Sequence, residues 1–471
     1  MVSFGKKIVK LKIPIFIIGL LLLIPSVFGY LGTRVNYDIL SYLPGDIETM
    51  KGQDILKEEF GSGAFVTFVA EGMEYKDVSK LKEKIESVEH VNKVIWYDSF
   101  ADISVPIEML PDNVREAFQN EDNTLMLITF DTTMSSDETM DAISEIRNLA
   151  GKQCFLGGMP AVTLDTKNIT MQETRIYVAI AAVSALIVLG ITMDSFLIPI
   201  LFLVSIGMAI VYNLGSNMFL GQISFITKAL TAVLQLGVTM DYSIFLWHSY
   251  GENKIRYDGD KNRAMAHAIG NTISSVVGSS VTTVAGFIAL CFMSFTLGLD
   301  LGIVMAKGVV IGVICCVTLL PSMILIFDKA LEKTKHKALL PEMKRVSAFI
   351  TKHYLAAIMI FLIVAIPAIY GYRHTTVYYN LTDTLPETLE SIQANEELQE
   401  NFQMNSVHMV LVDGKLESKN VYSMTQEMKK LNGVKTVLGM DAMLGSGIPR
   451  EIIPADMIKD CLLYTSPSPR D

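Results

Sequence analysis

Residues 33–63, TRVNYDILSYLPGDIETMKGQDILKEEFGSG, come back without a gap as residues 375–405, TTVYYNLTDTLPETLESIQANEELQENFQMN. Val35 returns as Val377, Tyr37 as Tyr379, Leu43 and Pro44 as Leu385 and Pro386, Glu58 and Phe60 as Glu400 and Phe402, and Gly72 as Gly414, each 342 residues later. Each copy follows a hydrophobic segment that lysines precede. The repeating unit is therefore a membrane span followed by a large polar domain, a layout that points to a transporter.

The 471 residues are 51% hydrophobic and 19% charged, with a mean hydropathy of +0.39. That is too apolar for an ordinary soluble protein, so a polytopic α-helical membrane protein is expected. A net charge of −10 argues against a nucleic-acid partner, because phosphate binding needs clustered Lys and Arg. Of the cysteines at 154, 291, 315, 316 and 461, only Cys154 falls in the first polar domain. A disulfide framework or a CxxC metal site is thereby excluded there, and no cofactor is expected. The three cysteines inside hydrophobic segments read as small buried hydrophobes.

Crossing a hydrocarbon core takes about 20 apolar residues. Seven segments qualify: Ile13 to Gly32, Arg175 to Met193, Phe196 to Leu214, Leu230 to Tyr250, Ser274 to Phe295, Leu301 to Phe327 and Tyr354 to Tyr372. The first is too long for a signal peptide and lacks a small-x-small cleavage site. Lys6, Lys7, Lys10 and Lys12 precede the first span, Lys254, Arg256, Lys261 and Arg263 follow the fourth, and Lys329, Lys333, Lys335, Lys337, Lys344 and Arg345 follow the sixth. Alternating crossings place all three groups on one side, which the positive-inside rule makes the cytoplasm. Both polar repeats are then outside.

The expected division is residues 1–33 (cytoplasmic N-terminus and first span), 34–173 (outer domain), 174–327 (spans two to six), 328–353 (cytoplasmic linker), 354–372 (seventh span), 373–460 (start of a second outer domain) and 461–471. This is an internal repeat of a one-plus-five helix unit whose second half is cut short. The repeat carries on to IPREIIPADM, from Ile448, and stops after Asp460, so the residues from Cys461 read as a non-native tail and the missing second half as a partner of this chain.

In the outer domain, FVTFVAEG, KVIWYDS, TLMLITFD and QCFLGG read as strands and DVSKLKEKIESV as a helix. SSDETMDAISEIRNLAG reads as a second helix, with Ser135 and Glu138 spaced for a capping box. The order βαββαβ predicts a ferredoxin-like α+β domain. His90 is its only histidine, and no nucleophile and base set surrounds it, so an enzyme is not expected.

The fourth span reads LTAVLQLGVTMDYSIFLWHSY. Asp241 lies near its middle, about 16 Å in from Leu230 at the helical rise. A carboxylate there costs at least about 2.5 kcal/mol to insert, so it is expected to face protein or water and to carry function. Gly237 sits one turn before it, allowing another helix to pack closely, and Tyr242 beside it can donate or accept a hydrogen bond. The fifth span offers hydroxyls at Ser279, Ser280, Thr282 and Thr283. Lys307 in the sixth either pairs with Asp241 in one protonation state or snorkels to the outer headgroups.

GVTMDYSIFL, from Gly237, resembles the Gly-x-x-x-Asp-Tyr motif of the fourth span in MMPL-type transporters of the resistance-nodulation-division superfamily. TTVAGFIAL, GVVIGVICCVTLLPSMIL and DILSYLPGD are similar to that family too. The resemblance implies extracytoplasmic porter domains and proton-driven export of hydrophobic or amphiphilic molecules, including lipids and drugs, across a bacterial cell membrane. It implies a proton relay at Asp241 and Tyr242, completed by a matching pair on a tenth span. Spans two to six are also similar to the sterol-sensing bundles of distant relatives, so the alternative is a lipid or sterol sensor without pumping. A homo-oligomer is left open.

Overall fold

The structure, a computed structural model, describes residues 1–99, 109, 112–336, 344–376, 382, 385–405, 407–437, 439 and 441–442. The tail from residue 461 and residues 448–457 of the second repeat lie outside these.

The chain opens with α1 (Val2–Lys10), α2 (Lys12–Gly32) and β1 (Arg34–Asn36). Next come α3 (Glu48–Phe60), β2 (Ala64–Glu71), α4 (Tyr75–Glu86), β3 (Val91–Ile95), α5 (Asp112–Phe118), β4 (Gln119–Asn120), β5 (Asn123–Phe130), α6 (Asp137–Leu149) and β6 (Cys154–Gly157). The long helices follow: α7 (Met159–Thr192), α8 (Leu197–Gly215), then β7 (Gln222–Ser224), α9 (Phe225–Arg256), α10 (Lys261–Leu290) and α11 (Leu297–Ile326). After them come α12 (Asp328–Lys333), α13 (Lys344–Lys352), α14 (Tyr354–His374), α15 (Glu390–Phe402) and α16 (Ser418–Met428). The chain divides into two compact units, Met1–Asn36 with Thr170–Leu381, and Tyr37–Ile169 with Thr382–Asp471.

Seven of the described helices, α2, α7, α8, α9, α10, α11 and α14, are long and apolar enough to cross a membrane. The chain is thus a polytopic membrane protein. Two helices start well ahead of their hydrophobic windows: α10 begins at Lys261, where hydropathy placed Ser274, although it ends at Leu290 rather than Phe295, and α7 begins at Met159 rather than Arg175. For α10 the cause is local. Asp260 accepts the amides of Asn262 and Arg263, both at 3.1 Å, which starts the helix. Ala264, Met265 and Ile269 then bury a side of it before the hydrocarbon begins.

Small residues let the bundle close. Gly5 of α1 lies against the backbone of Ala266 on α10, and Gly29 of α2 against that of Gly215 on α8, approaches that no side chain would permit. Tyr212 donates its hydroxyl to the Gly19 carbonyl at 2.6 Å, fixing α2 on α8. β1 and β7 pair in parallel, Val35 opposite Ile223. By contrast, none of α14's residues is buried.

The other unit is built on an antiparallel sheet in the order β3-β5-β2-β6, with β4 paired to β5. β2 is buried on both faces. On one side Val66 and Phe68 pack with Val78 and Ile85 of α4 and Ile143 and Ile146 of α6. On the other, Val69 and Leu125 meet Leu398 and Phe402 of α15, so a helix of the second sequence copy covers the sheet of the first. Arg147 forks onto Asp165 at 2.6 and 3.0 Å, Asp165 accepts the Ser391 amide at 3.0 Å, and Arg147 also reaches Glu390 at 2.9 Å. These contacts hold the start of α15 with charge-assisted bonds. The cap of α6 is Ser136, which accepts the Thr139 amide at 3.1 Å, one residue after the Ser135 expected, and position 139 carries no Glu or Gln to complete a capping box.

Candidate functional site

Helix α9 separates two environments. Thr227, Thr231, Gln235, Thr239, Tyr242, Ser243, Leu246 and Tyr250 are buried along one side. Leu230, Leu234, Gly237, Asp241, Phe245 and His248, spaced three and four apart, form an exposed stripe on the other. Asp241 therefore sits halfway along a membrane helix on a surface that no other described residue covers. A β-carbon at Gly237, one turn away, would meet no heavy atom within 4 Å.

The fifth span runs beside this stripe. Tyr242 turns inward, only 5% exposed, and its phenol lies near the side chains of Thr283 and Ser279 on α10. Thr282 and Thr283 also donate back to the Ser279 carbonyl, at 2.7 and 3.2 Å. Ser279 and Thr282 are exposed and Thr283 half-buried, and β-carbons at Gly278 and Gly286 would meet nothing within 4 Å. Asp241, Tyr242, Gly237, Ser279, Thr282 and Thr283 thus lie together along α9 and α10. Such a surface, carboxylate and hydroxyls set among glycines, leaves room for close approach of another helix.

Lys307 belongs elsewhere. Its ammonium donates to the Asn213 carbonyl at 3.1 Å and to Asn217 Oδ1 at 2.5 Å. Asn213 in turn donates to Gln235 Oε1 at 3.0 Å and to the Val304 carbonyl at 3.2 Å, and Gln235 donates to the Gly308 carbonyl at 3.1 Å. These groups occupy the seam between α8, α9 and α11, on the buried side of α9. Neither expectation for Lys307 describes this: it is bonded to two asparagines rather than to Asp241, and it points into the bundle rather than out to headgroups. Gly308 and Gly312 make the room, since their β-carbons would strike Asn213 and Thr239.

Asn213, Asn217 and Gln235 were not singled out from the sequence, although amides within apolar runs such as IVYNLGSN were a legible signal. In hydrocarbon such groups need partners; three helices supply them to Asn213 Nδ2 and Gln235, while Asn213 Oδ1 and Asn217 Nδ2 are buried without one among the described residues. At the outer end of the same seam Asp300 accepts the Ser224 amide at 2.8 Å and the Thr227 hydroxyl at 2.6 Å, anchoring the start of α9. Among the described residues no group of three His, Cys, Asp or Glu side chains is placed to hold a metal.

A family model described as the MMPL family matches residues 44–352. A membrane protein of Methanocaldococcus jannaschii is 23% identical over 354 residues, which cover 67% of this chain and 91% of that one. ActII-3 of Streptomyces coelicolor is 24% identical over 66% of this chain and 44% of its own length. The siderophore exporter MmpL5 of Mycobacterium tuberculosis is 25% identical over 54% of this chain and 27% of its own. The chain thus spans less than half the length of the last two. A crystal structure of SecDF aligns with a TM-score of 0.35 at 14% identity, covering 69% of this chain and 39% of that one, too distant to support an argument.

Proposed function

The chain belongs to the MMPL family, whose members are transporters and not enzymes, and on that premise we propose that it works in proton-driven export of hydrophobic or amphiphilic molecules. Asp241 is the group that takes up and releases the proton, and Tyr242, placed beside Ser279 and Thr283, passes the change on to α10. The observation that carries this is the location of Asp241 on an uncovered, glycine-flanked stripe halfway along a membrane helix. A carboxylate so placed is costly in lipid unless a second helix bundle closes over it and admits water.

The partner proposed is a second copy of the bundle, presenting an equivalent of α9 to the Asp241 stripe. Its support is the equal spacing of the two copies. α13, α14 and α15 reproduce the bounds of α1, α2 and α3 at a constant offset of 342 residues. Pro25 recurs as Pro367 inside the spans, and the left-handed residue Gly61 after α3 recurs as Gln403 after α15. The outer unit is a porter domain of the ferredoxin-like kind, supported by its βαββαβ order and antiparallel strand order. Residues 34–173, 174–327 and 373–460 then serve as first porter, first bundle and start of the second porter.

In this mechanism protonation of Asp241 removes its charge from the helix interface, and α9 shifts against its twin. The shift moves the porter domains, through which amphiphiles pass outward. Efflux of an amphiphilic dye from cells expressing the protein tests this. Efflux that collapses when an uncoupler dissipates the proton gradient is the expected result. Efflux indifferent to the uncoupler overturns it.

A further inference from the structure

We propose that α1, together with its later counterpart α13, is a docking surface for anionic phospholipid headgroups of the cytoplasmic leaflet. α1 is joined to the first span by a single residue, Leu11, so it lies where the helix enters the membrane. One side is occupied: Gly5 and Ile8 are buried, Gly5 against Ala266, and Val2 touches Gly270 of α10. The remaining surface is split. Ser3, Lys6, Lys7 and Lys10 fall on one arc of the helical wheel, and Phe4 and Leu11, 43% and 48% exposed, fall on the next. Basic groups beside an exposed apolar strip are the features of a helix lying in the interface, with its lysines at headgroup level.

The charge pattern commits the surface to an anionic partner. No acidic residue lies in the first turn of α1 or α2, and among the described residues Lys6, Lys7, Lys10 and Lys12 have no salt-bridge partner. Two other cytoplasmic lysines do: Lys254 lies 3.5 Å and Lys261 2.8 Å from Glu332, and Lys261 also pairs with Asp328, whereas Lys329, Lys333 and Lys335 have no such partner among the described residues. The protein neutralises those two internally, and the four lysines at the start of the chain, clustered beside an exposed apolar strip, are left to an external charge. The same design recurs at α13, one residue ahead of α14, where Val346, Phe349 and Ile350 are 52%, 66% and 51% exposed next to Lys352. Setting topology needs only the positive charges; it does not need a helix carrying an exposed apolar strip beside them.

The test is lipid retention by native mass spectrometry, on the purified chain in detergent given phosphatidylglycerol or phosphatidylcholine. The wild type is expected to retain phosphatidylglycerol preferentially. The K6Q/K7Q/K10Q variant is expected to lose that preference, by on the order of a hundredfold at low salt, since each lysine near an anionic surface contributes about a factor of five. The K6R/K7R/K10R variant keeps the charges and the orientation and is expected to retain it. Raising the salt on the wild type reports the same interaction without any substitution, and preference should fall. Equal retention of both lipids by the wild type overturns the proposal, as does full retention by the glutamine variant. Displacement of the lipid by inorganic phosphate at equal concentration also overturns it, because then a free anion and not a headgroup surface is recognised.

Discussion

Replacing Gly308 with alanine should damage the bundle, and the same change at Gly237 should not. A β-carbon at position 308 would run into Asn213 Nδ2 and stand 3.0 Å from Gln235 Oε1. Overpacking of this kind costs about 1–3 kcal/mol. Asn213 and Gln235 would also have to part, putting two interhelical bonds at risk, each worth about 0.6 kcal/mol in a membrane. Alanine's better helix propensity returns about 1 kcal/mol. The balance is a loss of roughly 1–3 kcal/mol, or about 2–4 °C of melting temperature for each kcal/mol in a unit of this size. At Gly237 there is nothing within 4 Å, so only the propensity gain remains, up to about 1 kcal/mol. Thermal unfolding of both variants in one lipid nanodisc preparation, followed by reactivity of the buried Cys315 and Cys316 with a fluorogenic maleimide, gives the comparison. If Gly308→Ala melts with the wild type, or Gly237→Ala melts below Gly308→Ala, the assignment of a closed and an open side to α9 is wrong.

Lys307→Met should destabilise the bundle by about 1–3 kcal/mol by orphaning Asn217 Oδ1, a loss read in the same unfolding assay, while leaving Asp241 chemistry untouched. Arg147→Ala leaves Asp165, which is 8% exposed, without its partner and should cost about 3 kcal/mol, seen as faster proteolysis near the start of α15. Burial pushes the Asp38 carboxyl above its ordinary range in spite of the amides of Leu40 and Ser41 that it accepts. The folded state therefore favours the protonated acid, and stability from this group is present at low pH and lost as pH rises through the raised value. Asp38→Asn should flatten that dependence in a melting-temperature series across the acidic range.

The number and order of the spans could be read from hydropathy because a membrane crossing is a length requirement that twenty consecutive apolar residues meet on their own. Strands such as Ala64–Glu71 were legible for a similar reason, since β-branched and aromatic residues cluster there. Helix ends were less so. The extension of α10 to Lys261 depends on one capping carboxylate and on a helix face that packs on α1, and hydropathy registers neither. Asp241 was visible as an ionisable group in an apolar run, yet its exposure was not, because which side of α9 is covered depends on α8, α10 and α11. The partners of Lys307 are hidden for the same reason: the helical rise gives its depth along α11, but Asn213 and Asn217 set its direction around the helix. The docking of α15 on the first sheet is a long-range contact that no local pattern announces.

Proton movement at Asp241 is the centre of this account, and substrate-triggered proton flux in proteoliposomes measures it most directly. With an internal pH dye and an imposed proton gradient, the wild type should show flux that begins on adding an amphiphilic substrate. Asp241→Asn should fold and melt like the wild type, because no hydrogen bond or ion pair of the described bundle rests on this exposed side chain, and should show no such flux. Equal flux from the two proteins would contradict the role assigned to this carboxylate.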